Sequence, residues 1–102
     1  MKIKEILDLE KENHHQIILL KEGIFWRAYN ISAFLFTKYV EAFKISKKYV
    51  KNVAAEIIHL GFPDTIFEKI QEKAATHFEI IEQKEKKVVF GLKENIKVNL
   101  EV

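Results

Sequence analysis

Residues 2–12 place Ile3, Ile6, Leu7 and Leu9 at mostly helical spacing among charged side chains, which predicts a short amphipathic helix with one stripe on a core. His14-His15 ends it. "QIILL" (16–20) is then a continuous apolar run bounded by charged residues, the pattern of a strand buried on both faces in the middle of a sheet. "KEG" (21–23) reads as a turn in which Gly23 supplies positive φ at little cost. "IFWRAY" (24–29), dense in aromatics, reads as the hairpin partner.

Asn30 and Ser32 are both good N-cap types, and Ala33, Phe34, Leu35, Thr37, Val40 and Glu41 after them predict a helix of about ten residues. "AFKISKKYV" (42–50) sets Phe43, Ile45 and Tyr49 among lysines, which predicts a half-exposed strand. Lys51-Asn52 is the expected turn, and "VAAEIIHLGF" (53–62) the returning strand, punctuated by Gly61 and the only proline, Pro63. Pro63 as first helical residue and Asp64 near the positive end of the helix dipole start a helix with Ile66, Phe67, Ile70 and Ala74 on one face. "HFEIIEQ" (77–83) and "KVVFGL" (87–92) are two further strands joined by the charged turn "KEK" (84–86), and 93–102 is an edge strand or a tail. The order α-β-β-α-β-β-α-β-β implies one α/β domain over 1–102, a mixed β-sheet flanked by about three helices.

Composition narrows the chemistry. At 102 residues the chain suits one domain with one core, and 48% hydrophobic with 31% charged residues is a folded composition, with no repeat or low-complexity segment. The absence of cysteine excludes a disulfide framework, a thiolate metal site and a cysteine nucleophile. The N-terminus lacks an apolar export segment and no run is long enough to span a membrane, so a cytoplasmic protein is expected. A formal net charge of +2 is too mild to declare a nucleic-acid partner, but the charge is local: Lys38, Lys44, Lys47, Lys48 and Lys51 stand against Glu41 alone.

Three stretches in order resemble the N-terminal, mismatch-recognition domain of MutS-type DNA repair proteins, over roughly residues 6–83. "HHQIILLKEGIFWRAY" has the apolar run, the glycine (Gly23) and the phenylalanine two residues later (Phe25) of the family's G-D-F-Y-E-L-F turn. "LGFPDTIFEKIQEKA" (60–74) resembles its G-[IV]-P-Y-H strand end and helix, and "IIEQ" (80–83) its I-C-E-Q tetrad. The resemblance implies a MutS domain I-like fold in which Phe25 wedges beside a base. The family's Phe-x-Glu is here Phe25-Trp26-Arg27; a carboxylate accepts from a base edge and is repelled by phosphate, whereas arginine donates in a fork and is attracted to it. That change moves the expectation from mismatch reading to nucleic-acid contact. The chain has no G-x-x-x-x-G-K-[ST] loop. Small free-standing MutS-like proteins accompany reverse transcriptases in some diversity-generating retroelements, which implies a larger protein partner of that kind.

Strand parity puts Ile24 and Trp26 toward the core and Phe25 with Arg27 outward, where an aromatic beside an arginine stacks on an unpaired base of DNA or RNA. Lys38, Lys44, Lys47, Lys48 and Lys51 would follow the phosphate backbone, or else keep an edge strand soluble. His14-His15, His59 and His77 lack the spacing of a metal site, and no cofactor is expected. Pro63-Asp64 with Glu82-Gln83-Lys84 matches the pattern of Mg²⁺-dependent nucleases, but Asp64 is better explained as a helix-start residue. The sequence therefore reads as a non-catalytic nucleic-acid-binding accessory module. Its alternatives are a protein-interaction scaffold without nucleic-acid contact and, as a minor one, a nuclease. A buried Phe25 with lysines scattered over several faces would favour the scaffold.

Overall fold

In the computed structural model, which describes residues 3–13, 15–51 and 54–93, the apolar run of the first strand is buried on both sides. The elements are α1 (Ile3–Lys11), β1 (Gln16–Glu22), β2 (Phe25–Tyr29), α2 (Asn30–Tyr39), β3 (Ser46–Val50), β4 (Ala55–Pro63), a short 3₁₀ segment (Asp64–Ile66), α3 (Phe67–Ala74), β5 (Phe78–Lys84) and β6 (Lys87–Leu92). Their order is the expected one. The Lys51-Asn52 turn and the 93–102 segment fall largely outside the described residues.

All six strands lie in one sheet of order β3-β4-β2-β1-β6-β5, so the described residues form a single α/β domain with three helices. The expected mixed sheet is corrected by the pairing, which is antiparallel throughout. The reason is topological. Each crossover helix, α2 and then α3, leads to an edge strand, and the next strand turns back into the gap, so β4 separates β2 from the parallel β3, and β6 separates β1 from β5.

Strand alternation gives the sheet two different faces. On the first, Ile17, Leu19, Trp26, Ala28, Leu60, Phe62, Val88 and Phe90 pack beneath α2 and α3 through Phe36, Leu35, Ile70 and Ala74. On the second, Ile18, Leu20, Tyr29, Ile57 and Val89 pack against Ile6 of α1, with Leu7 and Leu9 beside it. One helix of nine residues covers only part of a six-stranded face, and what it leaves open carries the polar residues described below.

Three local expectations are revised. Residues 40–45 are not strand: Phe43 N–H donates to Glu41 O at 2.8 Å and the ring packs 5.7 Å from Phe36 and 6.3 Å from Phe62, so it is partly buried against the sheet without being part of a strand. Pro63 closes β4 opposite Phe25 instead of opening a helix. β3 pairs no further along β4 than His59, so the missing proline N–H faces no strand on that side. Finally, neither Asn30 nor Ser32 is the N-cap of α2; that residue is Tyr29, without a side-chain cap bond. Asn30, at φ 45°, turns the chain sharply from β2 into α2, and its side-chain oxygen accepts from Ile58 N–H at 3.0 Å.

Candidate nucleic-acid interface

The hairpin turn between β1 and β2 stands at one end of the sheet. Gly23 has φ +64° with no atom within 4 Å of where a Cβ would lie, so the backbone conformation, not space, asks for glycine. Ile24 follows in the turn, 70% exposed, and Phe25 opens β2 at 40% exposed. Parity therefore succeeds for Trp26, 4% exposed, and fails for Ile24, because Ile24 precedes the strand. Trp26 is the anchor: its ring lies 5.0 Å from that of Phe67, and its Nε1–H donates to Asp64 Oδ1 at 2.6 Å. Asp64 N–H in turn donates to Ile24 O at 2.8 Å, fixing the turn against the start of the 3₁₀ segment.

Phe25 and Arg27 share the second face, and the Arg27 guanidinium lies 5.9 Å from the Phe25 ring centroid, within cation–π range. Opposite Arg27 in register is Gly61, where a Cβ would come within 3.1 Å of Arg27 Nη1. The arginine lies across β4 because position 61 has no side chain.

The five expected lysines do not form one patch. Lys48 pairs with Ile57 and joins Arg27 on the second face, while Lys47 pairs with Ile58 and points to the first. Lys38 lies on α2, 5.9 Å from the Phe34 ring and 5.4 Å from that of Tyr39. Lys44, between α2 and β3, and Lys51, just after β3, are exposed. Closeness along the chain was the signal, and strand alternation divides such neighbours between faces. The fold instead gathers lysines that the sequence reading passed over. β6 runs antiparallel to β1, so the turn at 85–86 lies beside the turn at 23–24, with Lys21 N–H donating to Lys86 O at 2.9 Å. Lys21 is 3.6 Å from Asp64, and Lys84 and Lys87 are 3.7 and 3.5 Å from Glu82; Lys86 makes no ion pair among the described residues. Both hairpin turns were legible in the sequence. Strand order, which sets them side by side, was not.

Between α1 and the open part of the second face is a cavity of about 230 Å³, lined by Glu22, Arg27, Tyr29, Lys48, His59 and the apolar Ile3 and Ile57. Tyr29 donates its hydroxyl hydrogen to Glu22, and Arg27 Nε lies 3.5 Å from the same carboxylate. Burial, reinforced by Glu22, pushes the Tyr29 phenol well above its ordinary range. His59 is held below the usual imidazole value, first by burial and then by the positive charges of Arg27 and Lys48, against the opposing pull of Glu22. The arrangement offers hydrogen-bond donors with a net positive charge.

No family model, curated protein or solved structure matches this chain. The interface is therefore read from its own geometry. The nuclease-like residues are not brought together: Asp64 is occupied by Trp26 and Lys21, Glu82 by Lys84 and Lys87. Asp64 directly follows β4 and Glu82 lies on β5, and those two strands are four strand spacings apart, roughly 19 Å. Among the described residues no group of three His, Cys, Asp or Glu is placed to hold a metal ion, and no helix is long and apolar enough to cross a membrane.

Proposed function

We propose that this protein is a nucleic-acid-binding accessory module that grips unpaired DNA or RNA at the β1–β2 end of its sheet. One observation carries the reading: Phe25, on the open part of the second face, stands exposed with the Arg27 guanidinium over its ring. A base stacked on such a platform gains roughly 1–3 kcal/mol. Lys48 on one side and Lys86 on the other supply attraction for phosphate. The sequence resemblance of "KEGIFWR" to the MutS mismatch-recognition motif supports the same use of Phe25, and Arg27 in place of the acid favours backbone contact over base reading. A cysteine-free chain suits a cytoplasmic setting.

The test is fluorescence anisotropy with a labelled single-stranded oligonucleotide. Three phosphate contacts from Arg27, Lys48 and Lys86 give a log–log salt slope near −2, at about 0.7 per contact. Phe25→Ala weakens binding by roughly 5- to 150-fold, the equivalent of one lost stack. Absence of binding at the lowest salt, or an unchanged affinity in Phe25→Ala, refutes the reading.

A second reading is favoured by a separate surface. Ile31, 39% exposed, and Phe34, 57% exposed, are three residues apart on the outside of α2 and suit a larger protein partner such as a polymerase of the reverse-transcriptase kind. Phe34→Ser leaves oligonucleotide affinity unchanged if the two surfaces serve different partners.

A further inference from the structure

We propose that the cavity between Arg27, His59 and Lys48 is a subsite for a single phosphate group, with His59 as its proton-dependent donor. The proposal rests on the nucleic-acid reading for its biological ligand, and on three neighbouring strands for its geometry. His59 on β4 lies directly opposite Tyr29 of β2 and Ser46 of β3. Arg27, opposite Gly61, and Lys48, opposite Ile57, are its diagonal neighbours on either side, within reach for long side chains. All three cationic or protonatable groups line the one cavity, which α1 bounds through Ile3.

The groups facing His59 are Arg27 and Tyr29 from β2, Glu22 from β1 and Lys48 from β3. Glu22 is the one acid among them, and it already accepts from the Tyr29 hydroxyl and is paired with Arg27 Nε. The other end of the Arg27 fork reaches over Gly61 through Nη1, on the strand that carries His59, and offers an anion a second donor beside the Nε held at Glu22. Two cations beside a partly buried imidazole oppose its protonation, and an anion held among them reverses that. Phosphate binding and His59 protonation therefore reinforce each other, and each strengthens the other by the same factor. Arg27 also reaches the Phe25 ring, so one arginine would join a stacked base to its phosphate.

Two measurements test this. In the first, the His59 imidazole is titrated by NMR in inorganic phosphate and in chloride at equal ionic strength, using His59→Gln for assignment and His77, on the other face beside Tyr39, as internal reference. Phosphate should raise the His59 midpoint by about one unit, leave His77 in place, and lose this effect in Arg27→Ala. In the second, oligonucleotide affinity is compared at about pH 6 and pH 8. The native protein should tighten about three- to tenfold on acidification, and His59→Gln should not. Binding of the oligonucleotide without a phosphate effect on His59 overturns this proposal and leaves the nucleic-acid reading standing. A phosphate effect without oligonucleotide binding keeps the subsite and removes that reading, and the absence of both overturns both. Comparing 5′-phosphorylated with 5′-hydroxyl oligonucleotides identifies the source: equal affinity means a backbone phosphate, and tighter binding of the former means a terminal one.

Discussion

Removing the carboxylate of Glu10 should destabilise the fold more than any change on the proposed interface. α2 has no acid in its first turn and no side-chain cap of its own. Glu10, on α1 and only 5% exposed, supplies both from outside: it accepts from Ser32 N–H at 2.9 Å, Ser32 Oγ–H at 2.6 Å and Asn13 Nδ2–H at 3.3 Å. Ser32 Oγ itself accepts from Ile18 N–H at 2.9 Å, so β1, α1 and α2 meet at one polar knot. In Glu10→Ala the helix loses its cap, and because that donor, Ser32 N–H, is buried it is left unpaired, at about 1–3 kcal/mol. The serine hydroxyl can turn toward Gln16 O, and the Asn13 amide keeps its bond there. The loss is a large part of a small domain's stability. Urea unfolding followed by the fluorescence of Trp26, the single tryptophan, measures it.

The pH dependence is the sharper part. Burial raises the Glu10 carboxyl above the ordinary glutamate value, against the bonds from Ser32 and Asn13 that lower it. Between the unfolded and the raised folded value the native state holds more protons than the unfolded chain. The stability linked to this proton is present in full below the unfolded value and is lost as pH rises through the folded one. Glu10→Gln keeps an acceptor for Ser32 N–H but has no proton to gain. The stability of the native protein relative to Glu10→Gln should therefore decline as pH rises from about 4 to 8. A constant difference across that range, or a Glu10→Ala protein within about 0.5 kcal/mol of native, refutes the reasoning.

Two further outcomes are expected. Gly61→Ala puts a methyl 3.1 Å from Arg27 Nη1 and 3.3 Å from Trp26 O. The flexible arginine gives way, so stability should change by less than about 1 kcal/mol while oligonucleotide affinity falls severalfold, and an unchanged affinity would show that the arginine's lie across β4 is irrelevant to binding. Asp64→Ala removes the acceptor of the Trp26 indole and should cost about 1–2 kcal/mol with a shift in tryptophan emission, since the partly exposed Lys21 pair adds little. Unaltered emission would mean that the indole finds another partner.

Elements were legible in this sequence because each carries its own signal. "QIILL" is apolar at consecutive positions, and Ile17 to Leu20 are all buried. "KVVFGL" gives β6 to the residue, because charged turns bound it. The failures fall where a distant partner decides. Ser32 has the chemistry of an N-cap, but Glu10, 22 residues earlier, takes that role and leaves the hydroxyl for Ile18. Phe43 has the pattern of a strand residue, but Phe36 and Phe62 partly cover it before the strand begins. Antiparallel pairing was equally hidden, because a crossover helix between two strands is compatible with a parallel neighbour until it is known that a third strand enters the gap.

The candidate site divides along the same line. Phe25 and Arg27 are two apart on one strand, so alternation alone sets them on one face, and the sequence sufficed for that pair. The same rule misplaces Ile24 because parity holds only inside a strand, and the two-residue turn places the boundary after it. For the lysines, density along the chain was the wrong measure. Adjacent residues of a strand such as Lys47 and Lys48 are driven to opposite faces, whereas residues on adjacent strands at the same register are about 4.8 Å apart. A basic surface on a sheet is therefore assembled across strands. Here it joins Arg27 of β2 to Lys48 of β3 over the glycine and histidine of β4, whereas Lys21 of β1, although its backbone bonds to Lys86 of a turn distant in sequence, turns its side chain to Trp26 and Asp64 on the other face. His59 shows the consequence most clearly: isolated in the sequence, it gains its chemistry only from what the two flanking strands place beside it.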